Sequence, residues 1–89
     1  MDEGPVEIKV DADNAVFKNY RSGIIKTPSC GQNAQHTVTA IGYDTDPATK
    51  TEFVIIKNIW DNWGENGKAR ISLDTKLAGP KGVCGIYNQ

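Results

Sequence analysis

Lys57-Asn58-Ile59-Trp60-Asp61-Asn62-Trp63-Gly64-Glu65-Asn66-Gly67, with Gln35-His36-Thr37-Val38 upstream, is the stretch whose reading decides this chain. The only histidine opens one apolar run and an asparagine closes the next, with both tryptophans within five residues of that asparagine. His36 to Tyr43 and Thr51 to Lys57 are rich in β-branched and aromatic residues and are bounded by turn formers, so both are expected to be strands. The polar Asp44-Thr45-Asp46-Pro47-Ala48-Thr49-Lys50 between them makes the two runs a hairpin. If the hairpin is symmetric about Pro47, His36 and Asn58 stand directly opposite, each eleven residues from it. Directly opposed residues have Cβ atoms about 5 Å apart, within hydrogen-bonding reach for these side chains. A one-residue slip would turn one of them to the other face.

Such a pair has a chemical use. A histidine acting as base toward a thiol needs its second ring nitrogen held by an acceptor, which fixes tautomer and ring orientation. Asn58 offers its amide oxygen without the charge of an aspartate, and Trp60 is expected to cover the hydrogen bond. A lone histidine beside an apolar strand is more often a structural residue satisfied by backbone. The Asn-x-Trp-x-x-Trp-Gly pattern around Asn58 reverses that reading.

The arrangement resembles the second half of a papain-like, cathepsin L-like cysteine protease. Gly4-Pro5-Val6-Glu7-Ile8-Lys9-Val10-Asp11-Ala12 is similar to that family's Gly-Pro-(Ile/Val)-Ser-Val-Ala-Ile-Asp-Ala strand. Phe17, Tyr20 and Gly23-Ile24 fit its Phe-x-x-Tyr-x-x-Gly-Ile segment, and Cys84-Gly85-Ile86 matches its Cys-Gly-Ile near the C-terminus. The resemblance implies catalytic roles for His36 and Asn58 in a Cys-His-Asn triad, and a shielding role for Trp60. It implies substrate contacts at Lys9, Ala34, Gln35 and Thr37, and a disulfide between Cys30 and Cys84. No metal or other cofactor is implied. The implied partners are a peptide or protein substrate and the N-terminal, nucleophile-bearing domain, whose Cys-Gly-Ser-Cys-Trp signature is not within these residues. A lysosomal, vacuolar or secreted location is implied as well, though the chain carries no targeting signal of its own.

Some positions depart from the family pattern. Lys9 stands where a small apolar residue usually faces the pocket for the substrate's second residue, so the pocket is expected to be smaller or to favour an acidic side chain. Ile59 replaces a usual serine, Val54 a usual tryptophan and Lys68 a usual aromatic. The expected function is therefore the C-terminal part of a cysteine peptidase that cleaves peptide bonds through an acyl-thioester, inactive as an isolated chain. The alternative is a catalytically inactive, free-standing homologue acting as a binding or regulatory module. An unrelated small β-barrel binding domain is the third reading.

Composition sets outer bounds. Eighty-nine residues form one domain at most, of a size whose core is small. The net charge is −1 with lysines and arginines scattered, so no basic patch points to nucleic acid. No apolar run approaches the roughly 18 residues of a membrane span. Two cysteines 54 positions apart and one histidine do not make a four-ligand zinc site without acids. By themselves the cysteines read as a disulfide or as two buried thiols. A bridge closing that loop would stabilise the fold by roughly 4 kcal/mol on the chain-entropy model.

The expected architecture is mainly β within the α+β family: a partly open antiparallel β-barrel with one short helix, the right-hand domain of the papain-like fold. Strand 6–11 is expected to alternate Val6, Ile8 and Val10 inward, and Asp13-Asn14 to cap a helix over 15–20. Short strands at 23–25, 67–73 and near 83–87 complete the barrel. The face that would meet the missing domain is an exposed interface in the isolated chain and favours self-association.

Overall fold

The centre of the fold is the hairpin of β3 (His36–Thr45) and β4 (Glu52–Lys57). Asp46 closes its tip. The Asp46 N–H donates to the Thr51 carbonyl at 2.8 Å, and the Asp46 carboxylate accepts from the Ala48 N–H at 3.1 Å and the Thr49 hydroxyl at 3.0 Å. A carboxylate that captures the backbone two residues on is the usual reason aspartate starts a turn. In this computed structural model the described residues are 5–60, 62–74, 76–77 and 79–88, the Pro28 side chain excepted. Gly4, which begins the first family-like segment, and Met1–Glu3 lie outside them, as does Asp61.

The hairpin's register differs from the symmetric one. Thr45 pairs with Glu52 and Gly42 with Ile55, but Ala40 pairs with Ile56 and Thr39 with Lys57. Ile41 is therefore an extra residue in β3, a bulge that shifts the ladder by one position. Continued by one residue, the Thr39–Lys57 pairing sets Asn58 level with Val38 rather than with His36.

Three further strands, β1 (Val6–Val10), β2 (Ile24–Ile25) and β5 (Lys68–Ser72), complete one five-stranded sheet in the order β1-β3-β4-β5-β2. Its edges do not join, so the barrel is partly open as expected. The contacts of β1 with β3, β3 with β4 and β4 with β5 are antiparallel, but β2 runs parallel to β5. That corrects the all-antiparallel expectation. The chain leaves β1 at one edge, passes through the surface helix α1 (Ala15–Lys18), which buries Phe17, and enters the opposite edge alongside β5. Asn14 caps α1 as foreseen, its side-chain oxygen accepting the Phe17 N–H at 2.9 Å.

The segment 83–87 is not a strand. Val83–Gly85 forms a 3-10 turn, and Gly82 just before it, Cys84 and Gly85 all have positive φ, 80°, 58° and 71°. Left-handed backbone cannot continue a pleat. This turn brings Cys84 to Cys30, and the two form a disulfide with Cα atoms 4.7 Å apart. In β1, Val10 is fully buried but Val6 is 41% exposed at the strand's outer end, and Asp11, expected outward, is buried. Phe17, Ile56, Ile71 and Val83 fill the core around the bridge.

A polar lock fixes the parallel edge. The Tyr20 hydroxyl donates to the Gly23 carbonyl at 2.6 Å and accepts the Arg70 N–H at 3.4 Å. Glu65 binds the Arg70 guanidinium with both oxygens, at 3.0 and 2.8 Å, and also accepts the Gly23 N–H. The hydrogen bonds from Arg70 hold the Glu65 carboxyl below its ordinary range, while burial pushes the Tyr20 phenol above its own.

Candidate active site

His36 is delivered by two backbone constraints. It pairs with Val10 as the last rung of β1 on β3, and the Gln35 N–H just before it donates to the Val10 carbonyl at 3.2 Å. Asn58 lies one residue beyond β4, where its N–H donates to the Gly67 carbonyl at 2.8 Å. The 62–67 turn that supplies this acceptor needs glycine at Gly64. Its φ is +63°, and a Cβ there would meet the Lys68 carbonyl at 2.5 Å.

The two side chains meet along the sheet's diagonal, His36 Nε2 lying 2.9 Å from Asn58 Oδ1. Residues two positions off direct opposition share a face, and side chains of this length span the gap. The contact foreseen from the sequence is present, in a register that was not. The Ile59 N–H also donates to Asn58 Oδ1, at 2.8 Å. An atom that receives a backbone N–H is the amide's oxygen, so His36 Nε2 must carry the proton and donate. Nδ1 is then the ring nitrogen left to accept a proton from another group. Asn58 is buried, and its Nδ2 has no hydrogen-bond acceptor among the described residues. An unpartnered buried donor costs roughly 1–3 kcal/mol. The amide is thus held for its oxygen at the expense of its nitrogen.

Aromatic rings surround the imidazole. Trp60 stacks on it at 5.1 Å between centroids with the planes 33° apart, and the Phe17 ring meets it edge-to-face with centroids 6.3 Å apart. Phe17 in turn packs on Trp60 and Trp63, and the Trp63 indole N–H donates to the Phe17 carbonyl at 2.7 Å. Trp60 thus lies against the imidazole ring. Phe17 joins the site without a signal of its own in the sequence, which marks it only as an apolar residue of a capped helix.

The four expected substrate contacts do not form one group. Lys9 and Thr37 are cross-strand partners that line a cavity of about 230 Å³ together with Glu7 and Ile8. Alternation along a strand sets them on the face opposite His36 and Val10. Gln35 lines a different cavity of about 230 Å³ against His36, with Ala12, Asp13, Lys18 and Asn33. Ala34 is half-buried and lines neither. Among the described residues no three His, Cys, Asp or Glu side chains converge as a metal site would need, and no helix is long and apolar enough to cross a membrane.

The family model for papain family cysteine proteases matches residues 1–89. The chain belongs to the papain family. It is 42% identical over 83 residues to zingipain-2 of Zingiber officinale, covering 92% of this chain and 35% of that one. It is 39% identical over 84 residues to chymopapain of Carica papaya, covering 93% and 22%. The bromelain protease of Ananas comosus, solved in complex with the E64 inhibitor, superimposes with a TM-score of 0.79 at 42% identity, over 93% of this chain and 37% of that one. This papain-family chain thus spans well under half the length of the relatives it matches. Proteases of this family are hydrolases that act on peptide substrates, and the mostly-strand fold is that of their right-hand domain.

Proposed function

We propose that this chain is the C-terminal, His- and Asn-bearing part of a papain-like cysteine peptidase, residues 1–89 forming a single domain. The observation that carries the reading is the His36–Asn58 hydrogen bond under Trp60, with Nδ1 free to exchange a proton. The nucleophile is a cysteine of an N-terminal domain outside these residues, and His36 and Asn58 complete its triad.

In this mechanism His36 Nδ1 takes the proton of that thiol. The thiolate sulfur adds to the scissile carbonyl carbon, and the imidazolium returns the proton to the amine nitrogen as the C–N bond breaks. An acyl-thioester remains. His36 then removes a proton from water, whose oxygen displaces the sulfur and releases the acid. Asn58 holds the imidazole in one tautomer throughout, and Trp60 keeps water off the hydrogen bond. Lys9, Ala34, Gln35 and Thr37 are the substrate contacts of this reading, Gln35 beside His36 and the Lys9–Thr37 pair on the other face of the sheet. The Cys30–Cys84 bridge supports an oxidising compartment, hence a lysosomal, vacuolar or secreted protein.

The isolated chain has no nucleophile, since both of its cysteines are spent in the bridge. A fluorogenic dipeptide assay with and without reductant, alone and with the Cys-bearing domain added, tests this. The expected outcome is a flat trace for the chain alone and turnover on mixing that His36→Ala abolishes. Turnover by the chain alone in reductant, lost in His36→Ala, would assign Cys30 or Cys84 as nucleophile. No turnover from the mixture would favour an inactive binding or regulatory module.

A further inference from the structure

We infer that Asp11 is a positioning residue for His36, acting through the two segments that hold the imidazole; this rests on the proposed role of His36 as the base. Asp11 is a buried carboxylate at the end of β1, only 8% exposed. Neither of the ion pairs among the described residues involves it. It is met instead by N–H groups. Oδ1 accepts the Asp13 N–H at 3.0 Å and the Asn14 amide at 3.3 Å, and Oδ2 accepts the Asn33 N–H at 3.0 Å. Its own N–H donates to the Cys84 carbonyl at 2.7 Å. Charge-assisted bonds of this kind are about twice as strong as neutral ones.

Two routes lead from this carboxylate to the imidazole. The first runs through Asn14, whose Nδ2 also binds the Asp11 and Cys30 carbonyls while its Oδ1 caps the Phe17 N–H. The cap fixes Phe17, whose ring packs edge-to-face with His36 and whose carbonyl anchors Trp63. The second runs through Asn33, three residues before His36 in the loop that feeds β3. The close fit of that loop shows at Gly31, where φ is +78° and a Cβ would lie 2.1 Å from Asp11 Oδ2. One charge therefore orders both the helix packed against the imidazole and the chain that delivers it. Orientation of a reacting group to within a fraction of an ångström is what such supporting bonds provide.

The test is Asp11→Asn, which keeps the volume but turns an N–H2 group toward N–H donors. Proton–nitrogen correlation spectra of the His36 ring are recorded on this chain, together with hydrogen exchange at the Asn33 amide. Ile71→Val, a core change remote from Asp11 that costs about 1 kcal/mol, controls for general loss of stability. The expected result is a single Nε2–H tautomer in the parent and the control, mixed tautomers in Asp11→Asn, and Asn33 exchange about tenfold faster, the loss of one hydrogen bond to a charged group. A lower Tm with tautomer and exchange unchanged would overturn the inference. Should Asp11→Asn not fold, Asn14→Ala removes the cap on Phe17 together with the Nδ2 bonds, and an unaltered His36 spectrum there would overturn it equally. These readouts need no substrate. Failure of the mixing assay with an intact His36 response would sink the peptidase reading and leave the role of Asp11 standing.

Discussion

Asn58 receives two hydrogen bonds on one oxygen, from His36 Nε2 at 2.9 Å and from the Ile59 N–H at 2.8 Å. Two donors on one acceptor fix the amide's orientation, and the amide fixes the ring. Removing this group strands both donors at once. Asn58→Ala is expected to lower stability by about 1–3 kcal/mol and to release His36 into a mixture of tautomers. Denaturant melts and ring nitrogen shifts measure the two effects separately. Unchanged shifts would mean that Trp60 and Phe17 alone hold the imidazole.

The bridge joins residues 54 positions apart, directly under the β1 end that pairs with His36. Cys84→Ser, or reduction of the parent, is expected to cost roughly 4 kcal/mol on the chain-entropy model, a large share of a small domain's total. The check is a urea titration in oxidising and reducing buffer. A difference under about 1 kcal/mol would mean that the unfolded chain is already compact.

Glu65 and Arg70 should show their pairing in acid. The folded-state pKa of Glu65 is lowered, chiefly by the Arg70 hydrogen bonds, so its contribution is present above the ordinary carboxylate value and is lost as pH falls through the folded one. Glu65→Gln is therefore expected to be less stable than the parent at neutral pH, by under about 1 kcal/mol because the pair is a third exposed. The gap should close in acid. Thermal melts from pH 7 down to 2 follow it, and a gap independent of pH would assign the effect to packing.

Tyr20 should give the opposite limb. Its phenol is raised above the ordinary value of 10.0, first by burial. The unfolded chain then ionises before the folded one, so stability is intact below pH 10 and declines as pH rises toward the folded value. Ultraviolet titration is expected to show two late ionisations, those of Tyr20 and of Tyr87, whose phenol burial also pushes up, and only one of them in Tyr20→Phe. The same variant, by losing the Gly23 hydrogen bond, should cost about 1 kcal/mol.

Strands β1, β3, β4 and β5 and the Asn14-capped helix were legible because each carries its own local signal: β-branched runs, turn formers and an asparagine before an apolar residue. The His36–Asn58 contact was legible for a different reason, as two residue types at the ends of one hairpin. What could not be read was anything set by one strand's geometry against another. The Ile41 bulge leaves no mark in Thr-Ala-Ile-Gly-Tyr, and a two-residue strand such as Ile24–Ile25 shows its direction only once the chain has reached the far edge of the sheet. The 83–87 segment looked like a strand from Val83, Ile86 and Tyr87, but the glycines flanking Cys84 mark the left-handed turn that replaced it. Phe17 was visible as an apolar residue on a short helix, and nothing in that pattern names the ring it would touch.

The bulge at Ile41 divides the hairpin into two lengths that keep separate count. Every rung from Gly42 outward follows one offset, and every rung from Ala40 inward, toward His36 and Asn58, follows another. Residues added or removed between Asp46 and Thr51 are therefore absorbed on the outer side of the bulge, about ten residues of strand away from the imidazole. The tip is the natural place to graft a foreign peptide or an affinity tag. Deleting Ile41 itself would carry every such change straight to the paired side chains.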